Sequence, residues 1–203
     1  MPLHEPCAAC AATGETLESA LMRLDAGRPG TALTQSSDVK ALVAYIIERH
    51  HRYIREALPV LYSMLRTLVD AHGDAHPELQ LVLDSLRELG CDLVNHLAKE
   101  EHLLFPAIVA LADAERAGLP ADSAFTTLCH PIRAMESDHD RANRLMGRIR
   151  TLANHFVPPP DACAGWRLCF VALEQFESDL HAHVHLESYV LFPRALELER
   201  TAL

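Results

Sequence analysis

No stretch of this 203-residue chain approaches the roughly 18–20 consecutive apolar residues that a membrane span requires. The opening "MPLHEPCAAC" lacks both the basic first region and the apolar core of a signal peptide, so the expected location is the cytoplasm. Basic clusters are absent as well. Lys and Arg number 18 against 28 Asp and Glu, a net charge of −10. That balance argues against nucleic acid or an anionic membrane surface as a partner. No segment alternates with period two for long enough to make a strand, which leaves an all-α chain. The six cysteines, in a reducing compartment, are expected to be thiols, redox groups or metal ligands rather than structural disulfides.

What the chain does have is helical periodicity and an excess of histidine, 13 in all. Residues 1–36, with Cys7-x-x-Cys10, form a short, partly flexible N-terminal segment with at most one short helix. Residues 37–203 form the main domain, with long helical segments expected at about 38–71, 77–116, 125–155 and 162–199. The separators "HGDAH", "AGLPADS" and "VPPPDA" consist of helix breakers and cap formers; Pro77 suits a first turn and Asp161 an N-cap. Pro59, Pro106 and Pro193 should kink or end their helices. Short loops between long helices favour antiparallel neighbours, hence an up-down-up-down four-helix bundle.

One fifteen-residue phrase occurs twice. "DLVNHLAKEEHLLFP" (92–106) and "DLHAHVHLESYVLFP" (179–193) are identical at seven positions, among them His96/His183 and Glu100/Glu187. Such self-similarity marks an internal repeat. His and Glu four residues apart on a helix look the same way, and here they interrupt apolar stripes, so they face inward. A buried carboxylate is costly unless it is paired or bound to metal. The other two helices supply His51 and His139, at separations of 45 and 44 residues from His96 and His183. Near-equal spacing favours His51 over its neighbour His50. Two helix pairs related by a pseudo-twofold axis would therefore bring His51, His96, Glu100, His139, His183 and Glu187 together.

Two metals sharing both carboxylates, with two histidines each, have four protein ligands apiece. A bridging oxide or hydroxide would leave one open position per six-coordinate ion, where O2 or NO would bind. Mixed imidazole and carboxylate ligation suits iron or manganese. Asp92 and Asp179, one turn before His96 and His183, are expected to orient a ring N–H. A rival set exists. Glu48-x-x-His51 and Glu136-x-x-His139 are Glu-x-x-His motifs which, with Glu100 and Glu187, would make a ferritin-like oxidase site. That set leaves His96 and His183 unused. Cys91, Cys129, Cys163 and Cys169 read as small core residues.

The stretches "IIERHHRYIREALP", "HLAKEEHLLFP", "MESDHDRANRL", "VPPPDACAGW" and "HVHLESYVLFPRAL" resemble the hemerythrin-like bundle, in particular its bacterial repair of iron centres branch. The resemblance covers roughly residues 42–196. It implies that His51, His96, Glu100, His139, His183 and Glu187 hold a non-haem, oxo-bridged pair of iron ions, with Glu100 and Glu187 as bridges. It also implies a role in nitrosative or oxidative stress: repair of damaged iron–sulfur clusters in partner proteins, and NO binding or reduction. The alternative is an O2 or NO sensor or scavenger without turnover. The chain departs from the family near its start, where "CAACAATGETLESAL" resembles the tail of a preceding small domain, with Cys7-x-x-Cys10 in place of adjacent cysteines.

Overall fold

The computed structural model describes residues 38–118 and 127–202. Cys7 and Cys10 lie outside the described residues. Four long helices account for the bundle. Helix α1 comprises Val39–Tyr45, a π-turn at Ile46–His51 and Arg52–His72. Helix α2 comprises Glu78–Lys99, a π-turn at Glu100–Leu104 and Phe105–Ala117. Helix α3 is Cys129–Leu152. Helix α4 comprises Ala164–Leu186, a π-turn at Glu187–Leu191 and Phe192–Ala202. Helix α2 packs against both α1 and α3, and α1 packs against α4. Among the described residues no helix is long and apolar enough to cross a membrane.

Local chemistry explains the ends. Asp38 accepts the Lys40 amide at 3.3 Å and caps α1. Pro77 occupies the N-cap of α2 with helical dihedrals, and Gly118 closes α2 in the left-handed region at φ 63°, where glycine carries no Cβ penalty. Asp161 does not cap α4. The helix starts at Ala164, and the Asp161 carboxylate instead accepts from His76 Nε2 at 3.0 Å, joining two loops at the same pole.

The prolines do not end their helices. Pro59 sits on the exposed face within Arg52–His72. Pro106 and Pro193 each follow a π-turn by two residues, and both helices continue. In those turns the amides of Phe105 and Phe192 reach back five residues, to the carbonyls of Glu100 and Glu187. A proline has no N–H to donate, so it follows the shift in hydrogen-bond register without loss of a bond, after which the α pattern resumes. The repeated "LFP" thus marks a passage from π back to α, with Leu104, Phe105, Leu191 and Phe192 buried.

The core is split in two. One apolar cluster gathers Leu65, Leu68, Leu86, Trp166 and Phe176 with their neighbours; the other gathers Leu42, Ile46, Phe105, Ile108 and Phe192 with theirs. On every helix the residues separating these clusters are polar: His51, His96 and Glu100, His139, and His183 and Glu187. A buried polar layer therefore divides the bundle across its axis. Of the four cysteines in the described residues, Cys163 and Cys169 are core residues as expected, whereas Cys91 is exposed and Cys129 half-buried.

Candidate metal centre

Three of the four helices depart from α geometry where they present polar groups to this layer. His51 ends one π-turn, and Glu100 and Glu187 each begin one. A π-turn inserts an extra residue into the helical turn and re-aims the side chains that follow, a device common at functional sites. Helix α3 contributes only His139 and has no π-turn.

The six side chains converge. His51, Glu100, His183 and Glu187 form one group of potential ligand atoms lying within 4.8 Å of one another; His96, Glu100, His139 and Glu187 form a second. Both carboxylates belong to both groups. His183 Nε2 lies 2.8 Å from Glu187 Oε1, and His139 Nε2 lies 3.0 Å from Glu187 Oε2. His96 Nε2 and His51 Nε2 approach Glu100 Oε2 at 3.3 and 3.4 Å. His96 Nε2 and His139 Nε2 face one another at 3.2 Å. His51, Glu100, His183 and Glu187 are completely buried. His51 Nε2 and both Glu100 oxygens are nevertheless left without a hydrogen-bond partner. Carboxylate and imidazole lone pairs aimed at shared points, several of them without a hydrogen-bond partner, fit a cation. Without one the layer would hold a buried Glu100 carboxyl with neither oxygen hydrogen-bonded, a costly arrangement.

Electrostatics follow from this crowding. Burial disfavours a charged His51, but contact with the Glu100 and Glu187 carboxylates outweighs it and raises its pKa to about 9. Burial lowers His96 to about 3, despite the Glu187 charge. Burial, then the neighbouring Glu187, pushes Glu100 well up. Burial acts upward on Glu187 too, but His183, His139 and His51 outweigh it and hold Glu187 well down. A cation entering the centre must therefore displace the proton of His51 below pH about 9. Affinity of the metal-free protein for a divalent cation should rise with pH between 6 and 9, about tenfold per unit for each proton displaced. Chelator-competition titrations at three pH values, with proton release measured in weak buffer, would check this. A flat profile would exclude His51 from the ligand set.

The groups that orient the imidazoles differ from those expected. His51 Nδ1 lies 2.7 Å from Glu101, which also accepts from Arg55. His96 Nδ1 lies 3.6 Å from Asp138, which Lys99 holds at 2.9 Å. His139 Nδ1 lies 3.2 Å from Ser188. Asp92 pairs instead with Arg141, and Asp179 with His50 and Arg49. Sequence spacing missed Glu101 and Asp138 because each serves a histidine on another helix. His50 points away from both groups, to Asp179. His102, His130, His181 and His185 are exposed. Glu48 and Glu136 of the rival set are exposed as well, the Glu48 side chain at 75% and 3.8 Å from Arg52.

A cavity of about 140 Å³ reaches the centre between α2 and α3, past His96, His139 and His183. Its walls include Leu93, Ala142, Leu180 and Val184, and Lys99, Asp138 and Arg141 also line it. The volume admits a diatomic molecule or a few waters.

Comparison with known proteins agrees with this geometry. Residues 42–195 match the family described as hemerythrin HHE cation binding domain. The iron-sulfur cluster repair protein YtfE of Musicola paradisiaca is 36% identical over 190 residues, covering 90% of this chain and 77% of that protein. A probable iron-sulfur cluster repair protein of Haemophilus influenzae is 34% identical over 161 residues, covering 79% of this chain and 67% of that protein. The iron-sulfur cluster repair protein ScdA of Staphylococcus haemolyticus is 30% identical over 178 residues, covering 88% and 77%.

Proposed function

This chain belongs to the hemerythrin HHE cation-binding family, and from that premise we propose that it is a di-iron protein of nitrosative and oxidative stress which restores damaged iron–sulfur clusters. His51 and His183 would hold one iron, His96 and His139 the other, and Glu100 and Glu187 would bridge them. The observation that carries the reading is the overlap of the two four-residue groups in both carboxylates. Such a pair supplies reversible one-electron chemistry and open positions for a diatomic ligand.

The protein's own part is to arrange the surroundings. Glu101 and Ser188 hold His51 and His139 in orientation through their Nδ1 atoms, and the Asp138 carboxylate faces His96 Nδ1 at 3.6 Å. Apolar walls of Leu93, Leu180 and Val184 leave a narrow approach from the surface. NO or O2 is the small ligand that this cavity suits, and partner proteins carrying damaged clusters are the targets that its relatives' names suggest. The expected compartment is the cytoplasm.

Reactivation of a [4Fe–4S] enzyme damaged by NO or peroxide tests the reading. The iron-loaded protein should restore activity and the Glu100→Ala variant should not; equal recovery with both would defeat it. NO consumption under reducing conditions separates turnover from the alternative, stoichiometric capture by a sensor or scavenger. Because Glu48 and Glu136 face solvent, Glu48→Gln and Glu136→Gln should retain the full iron content of the wild type. Loss of iron, measured by elemental analysis, would instead favour a ferritin-like ligand set.

A further inference from the structure

Of the four inward imidazoles, His51 and His139 have a hydrogen-bond partner at Nδ1, and His96 has the Asp138 carboxylate facing its Nδ1 at 3.6 Å. His183 Nδ1 is buried and without a hydrogen-bond partner among the described residues. The ring nearest to it outside the ligand set is His50, whose plane lies 18° from that of His183 with centroids 5.9 Å apart. His50 is itself only 4% exposed. Its Nδ1 is held at 3.1 Å by Asp179 Oδ2, and Asp179 is held in turn by Arg49 at 3.2 Å. Tyr45 meets its ring edge-on at 5.7 Å. The other nitrogen, His50 Nε2, is buried and equally without a partner.

Two neighbouring imidazoles thus each leave one buried nitrogen unsatisfied, which is costly and uncommon in folded proteins. One site can satisfy both. A water bound between them would accept the Nδ1–H of His183 and donate to Nε2 of His50, whose own Nδ1–H donates to Asp179. The tautomers agree along the whole chain. His183 keeps Nε2 free as a metal ligand, and His50 keeps Nε2 free as an acceptor because Asp179 fixes its proton on Nδ1. The π-turn that carries His51 into the centre also holds His50 in the interior beside it, with its ring stacked on that of His183.

We propose that His50, anchored by Asp179 and Arg49, is a positioning residue that orients the His183 ligand through a single bound water. This rests on the di-iron reading given above. It gives His183 what Glu101 and Ser188 give His51 and His139. It also returns to Asp179 the orienting role that its spacing suggests, one residue removed. Each metal position then has one histidine supported by a direct hydrogen bond, His51 or His139, and His183 is the one supported through water.

The full chain loaded with ⁵⁷Fe provides the test, with wild type, His50→Leu, His50→Gln and Asp179→Asn compared. In His50→Leu, one iron of the pair should pass to a chelator about 10–100-fold faster, and the Mössbauer doublet of that iron alone should shift. His50→Gln, which keeps a hydrogen-bonding atom near the water, should release both irons at close to the wild-type rate. Asp179→Asn, nearly isosteric, should shift the same doublet and carries the test if His50→Leu fails to fold. Release of both irons at the wild-type rate from His50→Leu and Asp179→Asn would overturn the proposal. Equal acceleration of both irons would also overturn it, since that is a general loosening of the bundle. A wild-type protein that holds no iron pair would take down the di-iron reading and this role together; an intact pair insensitive to these variants takes down only the role of His50.

Discussion

Glu100→Ala is expected to empty both metal positions, whereas His139→Ala should weaken chiefly one. The difference follows from membership: Glu100 stands in both groups of potential ligands, His139 in only one. Glu100 is fully buried with both oxygens unpartnered, so no neighbour is placed to substitute for it. Elemental analysis of the purified variants would read the effect directly, as bound iron per chain. Thermal denaturation gives an independent measure. A ligand that binds only the folded state stabilises it by about 4 kcal/mol at a thousandfold excess over Kd. For a chain of this size that is roughly 8–16 °C for each ion. Wild-type protein should show this rise on metal addition and Glu100→Ala should show almost none. A variant that keeps both ions would rule out the bridging place proposed for Glu100.

The second large effect concerns stability alone. Trp166 is 1% exposed and lies in the first turn of α4, against Phe170 and beside His72 and His76. Truncating a buried tryptophan to alanine costs about 3–5 kcal/mol, from lost burial and the cavity left behind. The expected fall in melting temperature is roughly 6–20 °C. His183 is 17 residues further along the same helix, a rise of about 25 Å. Trp166→Ala should therefore melt early yet bind the same amount of metal as the wild type at 4 °C. Loss of metal at a temperature where the variant is still folded would show that the two core clusters are coupled through the polar layer. Preserved metal content would show that the centre depends on its own surroundings.

These two residues also show how much was legible beforehand. Glu100 announces itself, because the same His-x-x-x-Glu pair recurs on a second helix and both copies interrupt apolar stripes. The stripe Ile132, Met135, His139, Ala142, Met146, Ile149 is buried throughout, as its spacing implies. The π-turns were not foreseen. Their trace in the sequence is the proline after each "LF", but proline is compatible with a kink, an end or a register shift, and the choice depends on what the flanking residues pack against. The orienting groups were misassigned for a related reason. One-turn spacing points to Asp92 and Asp179, yet the carboxylates that face the Nδ1 atoms of His51 and His96 are Glu101 and Asp138 on neighbouring helices.

What the sequence by itself determined is the class of the fold, the extent of the four helices to within about four residues, and six inward polar residues. Periodicity carries that information, because the side of a helix that avoids water is set by the order of its own residues. What only the tertiary structure decided is which faces meet: that His51 stands with His183 and His96 with His139, each pairing one histidine from each half of the repeat. It also decided that His50 turns to Asp179 while His51 enters the centre. The physical reason is that rotation about a helix axis is encoded locally, whereas the partner across the bundle is chosen by packing among residues far apart in the chain.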